Sequence, residues 1–286
     1  MNILFCSSNK GKIIEFSNFL DKKMKILSLD DVVQYSVEPY QEPIENSNSF
    51  LLNATIKLIS GINLASAFNK SNNKKNKINK VIVDDSGLCV PKLHFEPGVS
   101  SAFYAGIPRD DIKNRAKLIE KINVHKETIQ LNQEEKRLAA FFVCFLMAVD
   151  ITNLSYSDIE NTEELKISHA NFIHSEDYLQ LEQRALHRIK NDGASISNSI
   201  PYRIDFQKVF PKAKLNFVID IYIGYCNGFV SNQEQQKIFE AGHGYDCLFY
   251  GKRNPSLSFA SISIEDKNKV SHRGEAMKAF ASLIAV

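Results

Sequence analysis

A surplus of charge of one sign is the first thing this sequence lacks: 35 Lys and Arg stand against 33 Asp and Glu, for a formal charge of +2. Such a balance gives no electrostatic case for a nucleic-acid or membrane protein, although local basic sites survive it. A cysteine framework is missing too. Cys6, Cys89, Cys144, Cys226 and Cys247 are odd in number and scattered, and no two form a C-x-x-C pair. That pattern indicates neither a disulfide scaffold nor a zinc site, and reads as reduced thiols. Long hydrophobic runs are absent as well. The opening MNILFCSS is too short for a secretory leader, and the apolar run at residues 139 to 149 falls short of a bilayer's thickness. The expectation is a soluble, cytoplasmic protein that binds neither nucleic acid nor membrane.

What is present is an alternation of short apolar runs with helical patterns over 286 residues, enough for one large core or two small ones. NILF reads as a buried strand, followed by KGKIIEFSNFL as a helix with Ile13, Phe16 and Leu20 on one face. Residues 47 to 68 read as a longer helix, with Phe50, Ala54 and Leu58 near helical spacing and Ser47 or Ser49 as its cap. The Asn/Lys tract at 69–80 has no apolar period and reads as a solvated loop. VIVDDSGLCV is expected to be a central strand entering a turn. RLAAFFVCFLMAV reads as a strand buried on both faces, and KLNFVIDIYIGYCNGFV as a strand or a hairpin. Residues 109 to 122 and those from Ser271 onward look helical. Between the last two strands, 151–214 has its own character. Within it, SEDYLQLEQRALHRIKNDG has acids first, bases last and a terminal Gly193, as in a surface helix aligned with its dipole. This alternation predicts an α/β layer architecture.

Four stretches could carry chemistry. SSNKGK, residues 7 to 12, lies where a strand hands over to a helix, so free N–H groups and the helix dipole favour an anion there. It is not a Walker A loop, because Cys6 and Ile13 stand where that loop needs Gly and Ser or Thr. In the acidic pair Asp84–Asp85, neighbours on a strand face opposite ways, so one member can hold a divalent cation while the other braces a neighbour. AGHGYDCLF offers the rings of His243 and Tyr245 and the carboxylate of Asp246. In EDKNKVSHRGEA, Ser271 can cap a helix whose first turn carries His272 and Arg273, with Lys267 upstream, a group able to gather phosphate oxygens. Each stretch alone is also compatible with an ordinary turn or a solvated surface.

In order, SSNKGK, SFLLNATIKL, DDSGLCV, PGVSSAFYAG, AAFFVC, GYCNGFV, GHGYDCLF and KNKVSHRGEA resemble the landmarks of the inosine triphosphate pyrophosphatase family. These are the non-canonical purine nucleoside triphosphate pyrophosphatases. The resemblance covers most of residues 2–150 and 215–286, and excludes the 69–80 loop and the 151–214 segment, read as insertions into a single domain. It implies an elongated, two-lobed mixed sheet with flanking helices and a central nucleotide cleft, usually in a homodimer. It also implies Mg²⁺-dependent hydrolysis of a purine nucleoside triphosphate such as ITP, dITP or XTP to the monophosphate and pyrophosphate.

Carried over position by position, the resemblance implies that Ser7, Ser8, Asn9, Lys10, Gly11, Lys12 and Lys57 hold phosphates. Asp85 is then metal ligand and base, Glu45 a second metal ligand, and Ser86 a neighbour in the same pocket. His243, Gly244, Tyr245 and Asp246 would cradle the base, while Lys267, His272 and Arg273 would contact and read the nucleotide. This chain departs from the family pattern at Phe103, where a cation is usual and Arg109 is a possible substitute. It also departs at His243, Leu52 and Cys247. Those departures leave room for a different modified nucleotide as substrate, or for a nucleotide-binding protein with weakened turnover.

Overall fold

A computed structural model describes residues 1–20, 23–36, 40–72, 76–129, 137–167, 176–191, 200–235 and 244–284. In chain order its elements are β1 (Asn2–Phe5), α1 (Lys10–Ser17), β2 (Lys25–Leu27), α2 (Leu29–Val32), α3 (Phe50–Ser71) and β3 (Ile78–Cys89). Next come α4 (Asp111–Ile129), β4 (Arg137–Asp150), α5 (Tyr156–Glu160), α6 (Glu176–Asn191), β5 (Tyr202–Asp205) and α7 (Phe206–Val209). The chain closes with β6 (Val218–Ser231), β7 (Phe249–Gly251), α8 (Ile264–Val270) and α9 (His272–Ile284).

The strands form one mixed sheet in the order β2-β1-β3-β4-β6-β5, with β7 pairing the same edge of β6 further along. β1 runs parallel to β2 and β3, and the pairs from β3 outward are antiparallel. This is the expected mixed sheet with flanking helices. Its centre is built as the composition requires: β4 is apolar at nearly every position because both its faces are covered. Val143, Phe145, Met147 and Val149 join a core under α3, and Cys144, Leu146 and Ala148 join one under α1 and α9. Toward the other end of that second face, Phe142 enters a third cluster with Leu88, Phe249 and Phe259. Two cores therefore share one face of the sheet, and the gap between them is where a cleft forms.

The structure departs from expectation in several places. DDSG is not a turn, since β3 runs straight through it and pairs residue by residue with β4 from Lys80 to Cys89. Its strand neighbour on the other side stops sooner: β1 pairs only as far as Phe5 opposite Ile82. From Asp84 onward β3 is thus an edge beside β1's end. The 69–80 tract is only partly loop, because α3 reaches Ser71 and β3 starts at Ile78. Asn69 closes that connection, donating to the Ile78 carbonyl and accepting from its N–H at 2.9 and 2.7 Å. Residues 73–75 of the tract lie outside the described residues, as does Gly193.

β6 is a single 14-residue strand rather than a hairpin. Gly224 in its middle lets α9 lie close, since a Cβ there would stand 2.0 Å from the His272 carbonyl oxygen. The 151–214 segment contributes α5, α6, the edge strand β5 and α7. Its helix α6 is not merely a surface helix: Tyr178, Glu182 and Ile189 are buried. Among the described helices only α3 is long and apolar enough to cross a membrane, and 83% of that apolar window is buried inside the fold.

Candidate active site

A cleft of roughly 320 Å³ opens at the end of β1, around the free edge of β3. The strand edge explains how two neighbouring acids reach one cavity. Asp84 has the parity of Ile82 and lies on the α1/α9 side, while Asp85 has the parity of Val83 and lies on the α3 side. Because β1 has ended, the cleft wraps the strand and both acids line it.

On the first side, Asn9 caps α1 by accepting from the Lys12 N–H at 3.3 Å, and its own N–H donates to Ser7 Oγ at 3.2 Å. Ser7, Ser8, Asn9, Gly11 and Lys12 line the cleft, whereas Lys10 is exposed and does not line it. The Lys12 ammonium donates to both oxygens of Asp84 at 2.9 Å, and Ser86 Oγ donates to the same carboxylate at 2.7 Å. Arg273 approaches it at 3.7 Å and also pairs with Glu15 at 3.4 Å. Burial opposes ionisation of Asp84, but the Lys12 and Arg273 cations outweigh it and hold the carboxyl well below the usual carboxylate range.

On the second side, Lys57 projects from α3 between two acids, 2.8 Å from Glu45 Oε2 and 3.3 Å from Asp85 Oδ1. Burial disfavours the ammonium, yet the two carboxylates more than compensate and raise its pKa. Asp85 behaves in the opposite sense to its neighbour. Burial pushes its carboxyl up to about 6, with Lys57 pulling down and Glu45 pushing up. One of its oxygens, Oδ2, is buried without a hydrogen-bond partner.

The far end of the cleft is assembled by α8 and α9. Lys267 is 5% exposed and donates to Asp246 at 2.6 Å. Ser271 caps α9 by accepting from the Gly274 N–H at 3.0 Å, as its position in the sequence predicts. His272 is buried and stacks on Phe142, with ring centroids 4.9 Å apart and planes 12° from parallel. Burial and the nearby Arg273 and Lys267 keep the ring neutral, and both its nitrogens lack a partner. Tyr245 donates through its hydroxyl to the Ser101 carbonyl at 2.9 Å, and the Gly244 N–H donates to Asp111 at 3.3 Å. His243 lies outside the described residues.

Phe103 and Arg109 both border the cleft; Arg109 is held at 2.9 and 3.2 Å by Asp111. Sequence reasoning missed Glu15, which faces Arg273 and lies 4.0 Å from Lys267. The signal was there in its spacing, three residues after Lys12 on the same helix face. It also missed Phe142, whose place beneath His272 follows only from the packing of α9 on the sheet.

Counting the side chains that line the cleft, five basic groups (Lys12, Lys57, Arg109, Lys267 and Arg273) face six carboxylates (Glu15, Glu42, Glu45, Asp84, Asp85 and Asp246). A polyphosphate entering such a site needs extra positive charge. No cluster of three or more His, Cys, Asp or Glu suited to a metal occurs among the described residues. The Glu45–Asp85 pair nonetheless fits a hard divalent ion, because its donors are carboxylate oxygens and one of them, Asp85 Oδ2, is buried and unsatisfied.

A mixed sheet opened by a cleft lined with five cations and six carboxylates defines an α/β protein with a densely charged pocket. The sequence model of the Ham1 family matches residues 3–169 and 197–283. The chain belongs to that family, in agreement with the eight motifs. It is 28% identical over 279 residues to the dITP/XTP pyrophosphatase of Acinetobacter baylyi, covering 97% of this chain and 91% of that protein. The dITP/XTP pyrophosphatase of Bacillus anthracis is 24% identical, covering 96% and 92%. The Staphylococcus aureus Ham1 protein shares the fold with a TM-score of 0.57 at 21% identity, covering 100% of this chain and 98% of that one. The Coxiella burnetii HAM1 protein gives the same TM-score at 20% identity, with the same coverage.

Proposed function

We propose that this protein hydrolyses non-canonical purine nucleoside triphosphates, ITP, dITP and XTP, to the monophosphate and pyrophosphate with the help of Mg²⁺. The observation that carries the reading is the split environment of the two adjacent acids. Asp84 is locked as a carboxylate in a lattice of cations, whereas Asp85 is held at a raised pKa with an unsatisfied oxygen. Perturbed neighbours of this kind mark a working carboxylate beside a structural one.

Glu45 and Asp85 would hold the metal, which supplies charge neutralisation for the phosphates. Asp85, when ionised, takes the proton of a water as its oxygen bonds to the α-phosphorus and the bond from that phosphorus to the bridging oxygen breaks. Pyrophosphate leaves with the electron pair. Lys12, Lys57 and the N–H groups at the start of α1 meet the charge that develops on it. Neutral His272 on its Phe142 platform, with Lys267 and Arg273 beside it, forms a donor-rich end to the cleft. A 6-oxo purine accepts hydrogen bonds there, while the 6-amino group of adenine brings donors against donors.

The test is pyrophosphate release from ITP, XTP, dITP, ATP and GTP, with and without Mg²⁺, for the wild type and Asp85→Asn. Turnover of ITP, XTP and dITP that needs both metal and Asp85 is the expected result, with ATP, the one 6-amino purine in the set, turned over least. Tight nucleotide binding without turnover would overturn the reading in favour of a binding protein.

A further inference from the structure

The family match leaves out residues 170–196, and α6 lies wholly inside that gap. One face of α6 nevertheless packs on the core through Tyr178, Leu181, Ala185 and Ile189. In the middle of that apolar stripe stands an acid, Glu182, only 6% exposed. Its carboxylate accepts from the Ser49 hydroxyl at 2.6 Å and from the Leu51 N–H at 3.0 Å, 133 and 131 residues away in sequence. The Phe50 N–H adds a further hydrogen bond. Ser49 in turn accepts from the Leu52 N–H at 3.2 Å. The free N–H groups that begin α3 are thus satisfied jointly by a local cap and a carboxyl group from another helix; burial raises the Glu182 pKa, and the donors of Leu51, Ser49 and Phe50 oppose that rise.

Those first residues of α3 also tie down the loop that carries Glu45. Asn53 accepts from the Ser47 N–H at 3.1 Å and donates to the Ser47 carbonyl at 3.2 Å, tying the backbone two residues beyond Glu45 to the helix. Lys57, one turn after Asn53, holds Glu45 and Asp85.

We propose that Glu182 is a positioning residue by which α6 braces the start of α3, and that the brace sets the placement of Glu45 and Lys57 for metal and phosphate binding. The proposal rests on the activity inferred above for that cleft. Its test compares the wild type with Glu182→Gln, which keeps the shape, and Glu182→Asp, which keeps the charge.

In the ITP assay, Glu182→Gln should lower kcat/KM and raise the half-saturating Mg²⁺ concentration, each by about tenfold, as for other residues that orient metal ligands. Glu182→Asp should recover part of both losses. In a Glu45→Gln background the effect on Mg²⁺ should shrink, because the two act along one path. Hydrogen exchange of residues 45–57 in the metal-free protein gives a readout that needs no turnover, and exchange there should rise in Glu182→Gln. Unchanged exchange in that segment, or a lower melting temperature with unaltered kinetics and Mg²⁺ dependence, would overturn the proposal. Should the wild type hydrolyse no nucleotide, the activity reading fails, and the exchange measurement still decides the brace.

Discussion

Asp84 and Asp85 are covalent neighbours with opposite electrostatic fates: Lys12 lies 2.9 Å from the first, and Lys57 lies 3.3 Å from the second. Asp85 is the member whose charge the fold disfavours. Asp85→Asn should therefore abolish turnover, by at least about 10³-fold, while leaving the melting temperature equal or higher. Pyrophosphate release and calorimetry on the same preparation check both halves. A variant that is inactive because it has unfolded would contradict the assignment.

Asp84→Asn should do the reverse to stability. Removing one partner of a buried ion pair leaves Lys12 without a carboxylate, while Arg273 keeps Glu15, a loss of about 3 kcal/mol at pH 7. The pKa of Asp84 is depressed on folding, so its contribution is present above the ordinary carboxylate range and is lost as pH falls toward its lowered folded value. Urea unfolding at a series of pH values should show the gap between wild type and variant closing in acid. A gap independent of pH would mean that packing, not charge, holds Asp84.

Lys57→Gln strips the only basic group within ion-pair reach of both Glu45 and Asp85 among the described residues. The metal-free variant should be destabilised by about 3 kcal/mol. Mg²⁺ should then raise its melting temperature more than that of the wild type, because the ion stabilises the folded carboxylate pair. Equal shifts in the two proteins would place the metal elsewhere.

Arg109 borders the cleft, as does Phe103, which is 52% exposed and stands where the resemblance to the family's motifs implies a cation. Arg109→Gln should raise KM for ITP about tenfold, the size of one lost charge-assisted hydrogen bond, with little change in kcat. Adding Phe103→Arg to that variant should restore KM. Steady-state kinetics of the single and double variants decide whether this rim cation is used.

Gly274 lies in the first turn of α9, against α8. A Cβ there would lie 1.9 Å from the Asn268 carbonyl oxygen, a backbone atom with no room to give. Gly274→Ala should cost about 1–3 kcal/mol through overpacking. It should also lower kcat/KM, because Lys267 and Arg273 sit on the two helices forced apart. Normal kinetics in a destabilised variant would show that the spacing of α8 and α9 does not tune the site.

Much of the site was legible because its residues lie in short motifs at the ends of regular elements. SSNKGK follows a strand and opens α1, Ser271 caps α9, and Ser49 caps α3, each where strand period and cap chemistry place it. The DDSG stretch was misread as a turn because Asp, Ser and Gly are turn formers. Continuous pairing with β4 overrides that propensity, and no local signal reports it. The helix α6 was legible as a helix from its charge gradient, but Glu182 within it looks like one more exposed acid until α3 is set against it.

The sequence by itself determined the alternation of strands and helices, the family and the chemical inventory of the cleft, since these follow from residue types at fixed local spacing. Tertiary structure decided which acid is held as a carboxylate and which has its pKa raised. The end of β1 beside Asp84 exposes both faces of one strand to one cleft, and burial among different cations then separates two carboxylates that the sequence presents as equals. It also decided that a helix outside the family match completes α3, because a hydrogen bond spanning 133 residues exists only once the chain has folded.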